Sequence, residues 1–173
     1  MAATFAWAKT FGASPGTAAD LGASGNLFNF MDEDSNTAAN YSTKPITASD
    51  AANQGRSYEV WLRAHLTATF NKVDNIQFWM STNFSPATGL TVYWKGNGQT
   101  AYVTPVKTDS TVATSSVPVA DPGTANVSIA GSLAGSLVAA GYSDYIVLQL
   151  DVATTAAPGD TSLATFTLQY DEQ

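Results

Sequence analysis

The sequence predicts an all-β fold, an antiparallel β-sandwich of jelly-roll or immunoglobulin-like type with about nine strands. The clearest observation is the stretch Ser57–Phe70, in which apolar residues occupy every second position from Tyr58 onward. A period of two over this length is typical of a strand with one face in a core. The same alternation recurs along the chain between Gly, Pro and Asn clusters, and no segment shows convincing helical periodicity.

The remaining strands are predicted from shorter alternating or apolar runs. In chain order these are a short strand at Phe5 and Trp7, then Leu27–Phe30, Asn75–Ser81, Leu90–Lys95, Thr100–Thr104, Asn126–Ile129, Tyr145–Val152 and Thr165–Tyr170. The Gly96-Asn97-Gly98 turn predicts a hairpin that returns through Thr100–Thr104. Pro158-Gly159-Asp160 fits a turn between neighbouring antiparallel strands. The segments Ser14–Gly25, Ala113–Thr124 and Gly131–Gly141 are rich in small residues and are predicted as loops.

Length and composition indicate one globular domain with a weakly charged surface. At 173 residues the chain can bury one hydrophobic core, so we expect a single β-sandwich domain over 1–173 with an irregular N-terminal segment of about 1–45. Apolar residues make up 45% of the chain and charged residues only 12%, about half the usual share. Such a weakly charged surface suits packing against other protein.

The charge balance and the cysteine count exclude several classes of function. Fourteen acidic residues against seven scattered basic ones disfavour nucleic-acid binding, which needs clustered Lys and Arg. The absence of cysteine excludes disulfides and thiolate chemistry. No apolar run approaches the length of a membrane span, and residues 1–12 lack the basic and apolar regions of a secretory signal. We therefore expect synthesis in a cytoplasm and no membrane partner.

The usual catalytic constellations cannot be assembled from these residues. His65 is the only histidine, it lies mid-strand, and no G-x-S-x-G elbow accompanies it, so we interpret it as a surface or interface residue. Glu59, Asp144 and Asp151 are the carboxylates on or beside strands, and nothing in the sequence brings a pair together. We expect a protein that is not an enzyme.

Three aromatic side chains occupy positions predicted to face away from the core, namely Trp61, Trp79 and Tyr93. Together with His65 they form a candidate surface for an interface or for ligand stacking. Large aromatic side chains are favoured in subunit interfaces, and their flat faces also stack on sugar rings. A third interpretation is that loops cover this face of the sheet.

A cluster of oxygen ligands at Asp32, Asp34 and Asn36 is the single candidate metal site. These three residues fit the D-x-D-x-N opening of a calcium loop. Thr37 replaces the required glycine and Thr43 replaces the bidentate Glu, so the loop is not an EF-hand. Calcium bound by a looser loop and a solvated acidic loop without metal both remain open.

Several phrases of the sequence resemble a family of small, cysteine-free, all-β structural proteins of tailed bacteriophages. They are SYEVW at 57–61, FNKVDNIQFW at 70–79, ANVSIAG at 125–131, GYSDYIVLQL at 141–150 and TFTLQYDE at 165–172. The resemblance covers roughly residues 45–173 and includes no catalytic motif. It implies a virion protein, specifically a capsid decoration (cement) protein. Its partners would be capsid or other virion proteins, and it would form a homo-oligomer such as a trimer.

Two functional hypotheses follow from these observations. The first is the decoration protein, which would stabilise a phage capsid by burying the Trp61 and Trp79 face against neighbouring subunits. The second is a glycan-binding β-sandwich module of a phage tail or surface adhesin, using the same aromatics and calcium at Asp32–Asn36. Oligomeric state and binding to polysaccharide distinguish the two hypotheses.

Overall fold

A computed structural model describes residues 2–22, 28–36, 43–48, 55–159 and 161–173, and it confirms the all-β fold. This part of the chain contains nine strands and no helix, so it also has no helix with the length and hydrophobicity of a membrane span. The strands are β1 (Thr4–Phe11), β2 (Thr17–Gly22), β3 (Val60–Thr67), β4 (Val73–Thr82), β5 (Leu90–Lys95), β6 (Ser115–Ser116), β7 (Gly141–Tyr142), β8 (Ile146–Val152) and β9 (Thr165–Glu172).

The strands form two antiparallel sheets of unequal size. The larger sheet has the order β2-β1-β3-β8-β5-β6, and β7 also pairs with β3. The smaller sheet contains only β4 and β9. The main hydrophobic core draws on both sheets, with Leu62 and Leu148 from the larger and Phe78 from the smaller. The molecule is therefore a β-sandwich with one broad and one narrow layer.

The long alternation of Ser57–Phe70 predicts a strand with one face in the core, and this strand is β3, which lies between β1 and β8 in the larger sheet. Val60, Leu62, Ala64 and Leu66 are all buried, whereas Arg63 and His65 on the opposite face keep part of their surface. Ala68 has a φ of 68°, a left-handed conformation that an extended strand cannot contain, so β3 ends just before it. The face that the sequence assigns to the core is the face that is buried.

Several predicted strands differ from those in the structure. Thr100–Thr104 is not a strand, because the chain after β5 leaves the sheet and β5 pairs with β8 and β6 instead. Asn126–Ile129 forms only an isolated bridge at Ile129. Of the predicted strand Leu27–Phe30, residues 28–30 do not form a strand, and Leu27 lies outside the described residues. Conversely, Ser14–Gly25, expected as a loop, contributes β2, so the N-terminal segment holds two paired strands.

The connection between β8 and β9 also differs from its prediction. The two strands belong to different sheets, so the chain near Pro158 and Gly159 crosses from one layer to the other instead of turning within a sheet. Asp160 lies outside the described residues. This crossing makes β9 a partner of β4 alone, which leaves the smaller sheet narrow.

Candidate functional site

Trp61 does not face solvent, because loops cover that side of the larger sheet. Its side chain has 0% exposure and lies in a second hydrophobic cluster with Ala113, Tyr145 and Val147. The rings of Tyr102 and Tyr145 pack edge-on against the indole at 5.3 and 5.4 Å. Of the three interpretations of this face, burial under loops describes Trp61, and we remove it from the candidate contact surface.

A buried polar network fixes the covering loop over Trp61. The carboxylate of Glu59 accepts hydrogen bonds from the Trp61 indole at 3.1 Å and from the Ser110 hydroxyl. The Gln149 amide nitrogen donates to the carbonyls of Ser57 and Thr108 at 3.0 and 2.9 Å. Its oxygen accepts from the Ser110 N–H at 3.0 Å. Glu59 and Gln149 therefore have a structural role, because they hold the loop that contains Ser110 over Trp61.

Tyr93 and His65 lie on this same covered side of the larger sheet. Tyr93 is partly buried against the second cluster, and the Arg56 guanidinium lies 5.6 Å from its ring centroid. His65 stacks on Tyr142 with centroids 4.2 Å apart, and its Nδ1 is 3.2 Å from Asp20 Oδ1. Both side chains already have partners within the chain, and neither lies near β4 or β9 in the sheet order.

The candidate calcium ligands face lysine side chains. Asp32 forms an ion pair with Lys107 at 2.5 Å. Asp34 accepts a 2.6 Å hydrogen bond from the Gly12 N–H and interacts electrostatically with buried Lys9. Burial raises the pKa of Asp34 and lowers the pKa of Lys9, because each charged form loses hydration. Asn36 is exposed, and no group of three acidic or histidine side chains within the described ranges could hold a metal.

The other two strand-associated carboxylates also have structural partners. Asp144 is buried and accepts hydrogen bonds from the Ser128 hydroxyl at 2.6 Å and from the Gly131 N–H at 2.7 Å. Asp151 lies 3.6 Å from the Arg56 guanidinium. Asp144 thus holds the backbone segment that contains Ser128 and Gly131. Asp151 holds Arg56, which precedes strand β3 in the chain.

Trp79 is the predicted aromatic that keeps an open face. It lies on β4, on the side of the smaller sheet opposite Phe78 and Met80, and it is half-buried. It belongs to neither hydrophobic cluster, and no ring contact or indole hydrogen bond joins it to another described residue. Because part of the Trp79 surface is exposed and no described residue stacks a ring on it, this outer face of β4 and β9 is the candidate contact surface.

Polar side chains surround Trp79 on that outer face. Thr167 is its direct partner across the strands, and the Thr167 hydroxyl donates a 2.7 Å hydrogen bond to Ser81. Gln169 lies two residues further along β9 on the same face, and it is exposed. Gln77, its partner on β4, is only 3% exposed, and its amide oxygen has no hydrogen-bond partner among the described residues. The outer face is thus covered at Gln77, partly exposed at Trp79 and exposed at Gln169, a difference that the alternation of the sequence does not show.

A shallow depression lies at the end of the smaller sheet. It encloses about 460 Å³ and is lined by Ala2, Thr69, Phe70, Asn71, Glu172 and Gln173. Glu172 is the sole charged group of this lining, and its Oε2 accepts a 2.9 Å hydrogen bond from the Ala3 N–H. The depression therefore offers no convergent set of catalytic groups.

Comparison of this chain with family models, with curated proteins and with solved structures finds no match.

Proposed function

We propose that this chain is a structural protein of a tailed-phage virion, a decoration protein that stabilises the capsid shell through protein–protein contacts. The observation that supports this proposal is the partly exposed position of Trp79 on the outer face of β4 and β9, beside uncharged polar side chains. A rigid aromatic at the centre of a polar rim is the usual composition of a protein contact surface. The sequence resemblance to phage structural proteins supplies the partner class.

The surface around Trp79 fits contact with protein better than contact with a charged polymer. Thr167, Gln169 and Ser81 carry no charge, and the whole chain has only seven basic residues. Burying such a surface desolvates no unpaired ion, so the cost of association stays small. The contact would use the smaller sheet, and Trp61 would contribute only by supporting the fold.

The experiment uses phage particles that lack the protein. Deleting its gene from the encoding phage should give particles that lose DNA at a lower temperature, and adding the purified chain should restore them. Trp79→Ala should reduce occupancy on the particles at least tenfold, which corresponds to about 1.4 kcal/mol or more for a central aromatic contact. Occupancy is measured by gel densitometry of sedimented particles.

Tyr142→Ala is the matched control, because it removes a 39% exposed aromatic from the larger sheet. It should bind particles as the wild type does. Equal occupancy of wild type and Trp79→Ala, with both folded, would contradict a contact through the smaller sheet. Particles whose heat resistance does not depend on the gene would contradict the decoration role itself.

Glycan binding is a second candidate, and the same geometry favours it. The open face of Trp79 lies beside the Thr167 hydroxyl and the Gln169 amide, which is a combination that stacks on and hydrogen-bonds a sugar ring. A glycan array probed with wild type and Trp79→Ala tests this candidate. Binding should be independent of calcium, since Asp32 and Asp34 face lysines. A glycan array on which the wild type binds no glycan would exclude this second candidate function.

A further inference from the structure

The two strands of the smaller sheet differ in whether the backbone groups at their outer edges have hydrogen-bond partners. The far edge of β4 is closed by the segment that carries Pro118, Asn126 and Val127. The Asn126 and Val127 N–H groups donate to the Ile76 carbonyl at 3.1 and 3.2 Å, and the Met80 N–H donates to Pro118 at 2.8 Å. No described residue makes a backbone hydrogen bond to the far edge of β9.

The hydrogen bonds at the far edge of β4 show which backbone N–H and C=O groups of β9 point away from β4. Ile76, Phe78 and Met80 direct their backbone groups away from β9, so Gln77 and Trp79 direct theirs toward it. Their partners Gln169 and Thr167 are therefore the hydrogen-bonded positions of β9. The alternating residues of β9 present their N–H and C=O groups outward, and these are Phe166, Leu168 and Tyr170.

This edge, which has no backbone partner among the described residues, lacks the features that normally prevent strand addition. Thr165–Tyr170 contains no Lys, no Pro and no charged side chain pointing into the sheet. Its inward residues Phe166, Leu168 and Tyr170 are only partly buried against the core. Phe28 and Phe30 lie against Phe166, with ring centroids at 5.6 and 6.3 Å. Apolar surface is thus present directly beneath the unpaired backbone.

We propose that β9 pairs antiparallel with β9 of a second copy of this chain, with Leu168 on the two-fold axis. In this register Phe166 lies opposite Tyr170 of the other copy, and all three outward-facing residues pair with one another. Thr167 lies opposite Gln169, and Thr165 lies opposite Asp171. The pairing therefore uses every free backbone group of Phe166, Leu168 and Tyr170.

The apolar residues Phe166, Leu168 and Tyr170 make this edge complementary to itself, which favours a second copy as occupant, and charge selects the antiparallel arrangement. Asp171 and Glu172 form the acidic end of β9. A parallel pair would place these carboxylates side by side, whereas the antiparallel pair moves them to opposite ends, against Thr165 and Ala164. The result is a continuous four-stranded sheet, and both Trp79 side chains lie on its outer face. The inference does not depend on whether the chain binds a capsid.

The absence of cysteine allows a test that is specific for this register. Thr167→Cys and Gln169→Cys are made as separate chains and then mixed under mild oxidation. Directly opposed, non-hydrogen-bonded residues have Cα atoms about 4.5 Å apart. That spacing is within the range of about 4.4–6.8 Å that a disulfide accepts. We expect a covalent dimer in the mixture on a non-reducing gel and at least a tenfold weaker dimer band for either chain alone.

A second pair of variants separates pairing from folding. Leu168→Pro removes the outward N–H at the centre of the edge, a position where proline leaves the β4 ladder intact. Leu168→Ala is the matched control, because it loses the same side chain but keeps the N–H. By light scattering the wild type and Leu168→Ala should have the mass of two chains, and Leu168→Pro that of one.

The outcomes that overturn the proposal are equally specific. A wild-type chain that is monomeric at all concentrations, with no cross-link in the mixture, excludes self-pairing. Cross-linking of Gln169→Cys with Thr165→Cys instead of Thr167→Cys shows a register shifted from the one proposed. A trimer without the cross-link shows that oligomerisation uses another surface. A dimer of Leu168→Pro that equals the wild type also contradicts pairing through β9.

Discussion

The carboxamide of Asn126 pairs with the backbone of Phe78 as a neighbouring strand would. Its oxygen accepts the Phe78 N–H at 2.8 Å, and its nitrogen donates to the Phe78 carbonyl at 2.8 Å. One side chain thus satisfies both polar groups of a residue whose ring is fully buried. This contact closes the far edge of β4, whereas the far edge of β9 has no backbone partner in the part of the chain that the structure describes.

Asn126→Ala should destabilise the smaller sheet, because it leaves the N–H and C=O of Phe78 without partners. Leaving a buried backbone group unpaired costs about 1–3 kcal/mol, so we expect the free energy of unfolding to fall by about 2 kcal/mol. The amide of Phe78 should exchange with deuterium at least tenfold faster, measured by NMR. Asn71→Ala, at an exposed position, should change stability by less than about 0.5 kcal/mol. Unchanged exchange at Phe78 would show that another group replaces the amide.

Strands β3, β4, β5, β8 and β9 could be predicted from the sequence, because every second side chain of each is apolar and faces the main core. Strand β2 has the sequence TAADLG, in which small residues hide the alternation, and it was missed. Thr100–Thr104 alternates but serves as part of the cover over Trp61. A periodic pattern shows which side chains share a face, and only the tertiary structure shows whether that face is covered.

At the candidate site, too, the sequence pattern shows which face a side chain occupies, whereas residues far away in the chain determine whether that face is covered. Trp79 and Trp61 have equivalent positions in their strand patterns, yet Trp61 is covered by a loop anchored through Ser110 and Gln149. Trp79 keeps part of its surface exposed, and no comparable loop cluster among the described residues packs against its ring. Closure of the β4 edge depends on Asn126, which lies far away in the chain, and the position of β9 beside β4 depends on the order of strands. No short sequence signal contains that information.

Glu59→Ala should loosen the loop over Trp61. The substitution removes the acceptor for the Trp61 indole and the Ser110 hydroxyl, both in a buried environment. We expect the free energy of unfolding to fall by about 3 kcal/mol, measured by urea denaturation. The tryptophan emission should shift to longer wavelength as water reaches the indole.

Two further variants define the control for this network. Glu59→Gln keeps one acceptor oxygen and should lose less stability than Glu59→Ala. Glu172→Ala, at an exposed carboxylate, should leave the emission maximum unchanged. If Glu59→Ala were as stable as the wild type, the loop would be held by Gln149 and apolar packing alone.

Gly16→Ala should be much more destabilising than Gly98→Ala, although both glycines have a left-handed backbone. Their φ angles are 78° and 73°, so each substitution costs about 1 kcal/mol through the backbone. A Cβ on Gly16 would also lie 2.5 Å from the Tyr102 ring and 2.7 Å from the Thr10 methyl, whereas a Cβ on Gly98 meets nothing within 4 Å. We expect an additional loss of about 1–3 kcal/mol at Gly16. Equal melting temperatures for the two variants would show that Tyr102 moves aside freely.

The stability of the fold should depend on pH through Asp34. Burial raises the pKa of its carboxyl above the ordinary value of 3.8, so the folded state binds this proton more tightly than the unfolded state. The free energy of unfolding should therefore decrease as the pH rises from 3.8 through the folded-state pKa. In Asp34→Asn the neutral amide can still accept the Gly12 N–H, so this decrease should disappear from urea midpoints measured across the acid range. A decrease that persists in Asp34→Asn would assign it to another group.

Lys9 should produce the opposite dependence on the alkaline side. Burial lowers the pKa of its ammonium below 10.5, although the charge of Asp34 acts against this shift. The unfolded state then binds the proton more tightly, and the free energy of unfolding should rise as the pH increases from the folded-state pKa to 10.5. Lys9→Met should abolish this rise. It should also extend the acid-side decrease to higher pH, because Asp34 loses the cation that lowers its pKa. An acid limb that does not move in Lys9→Met would show that the two groups are not coupled.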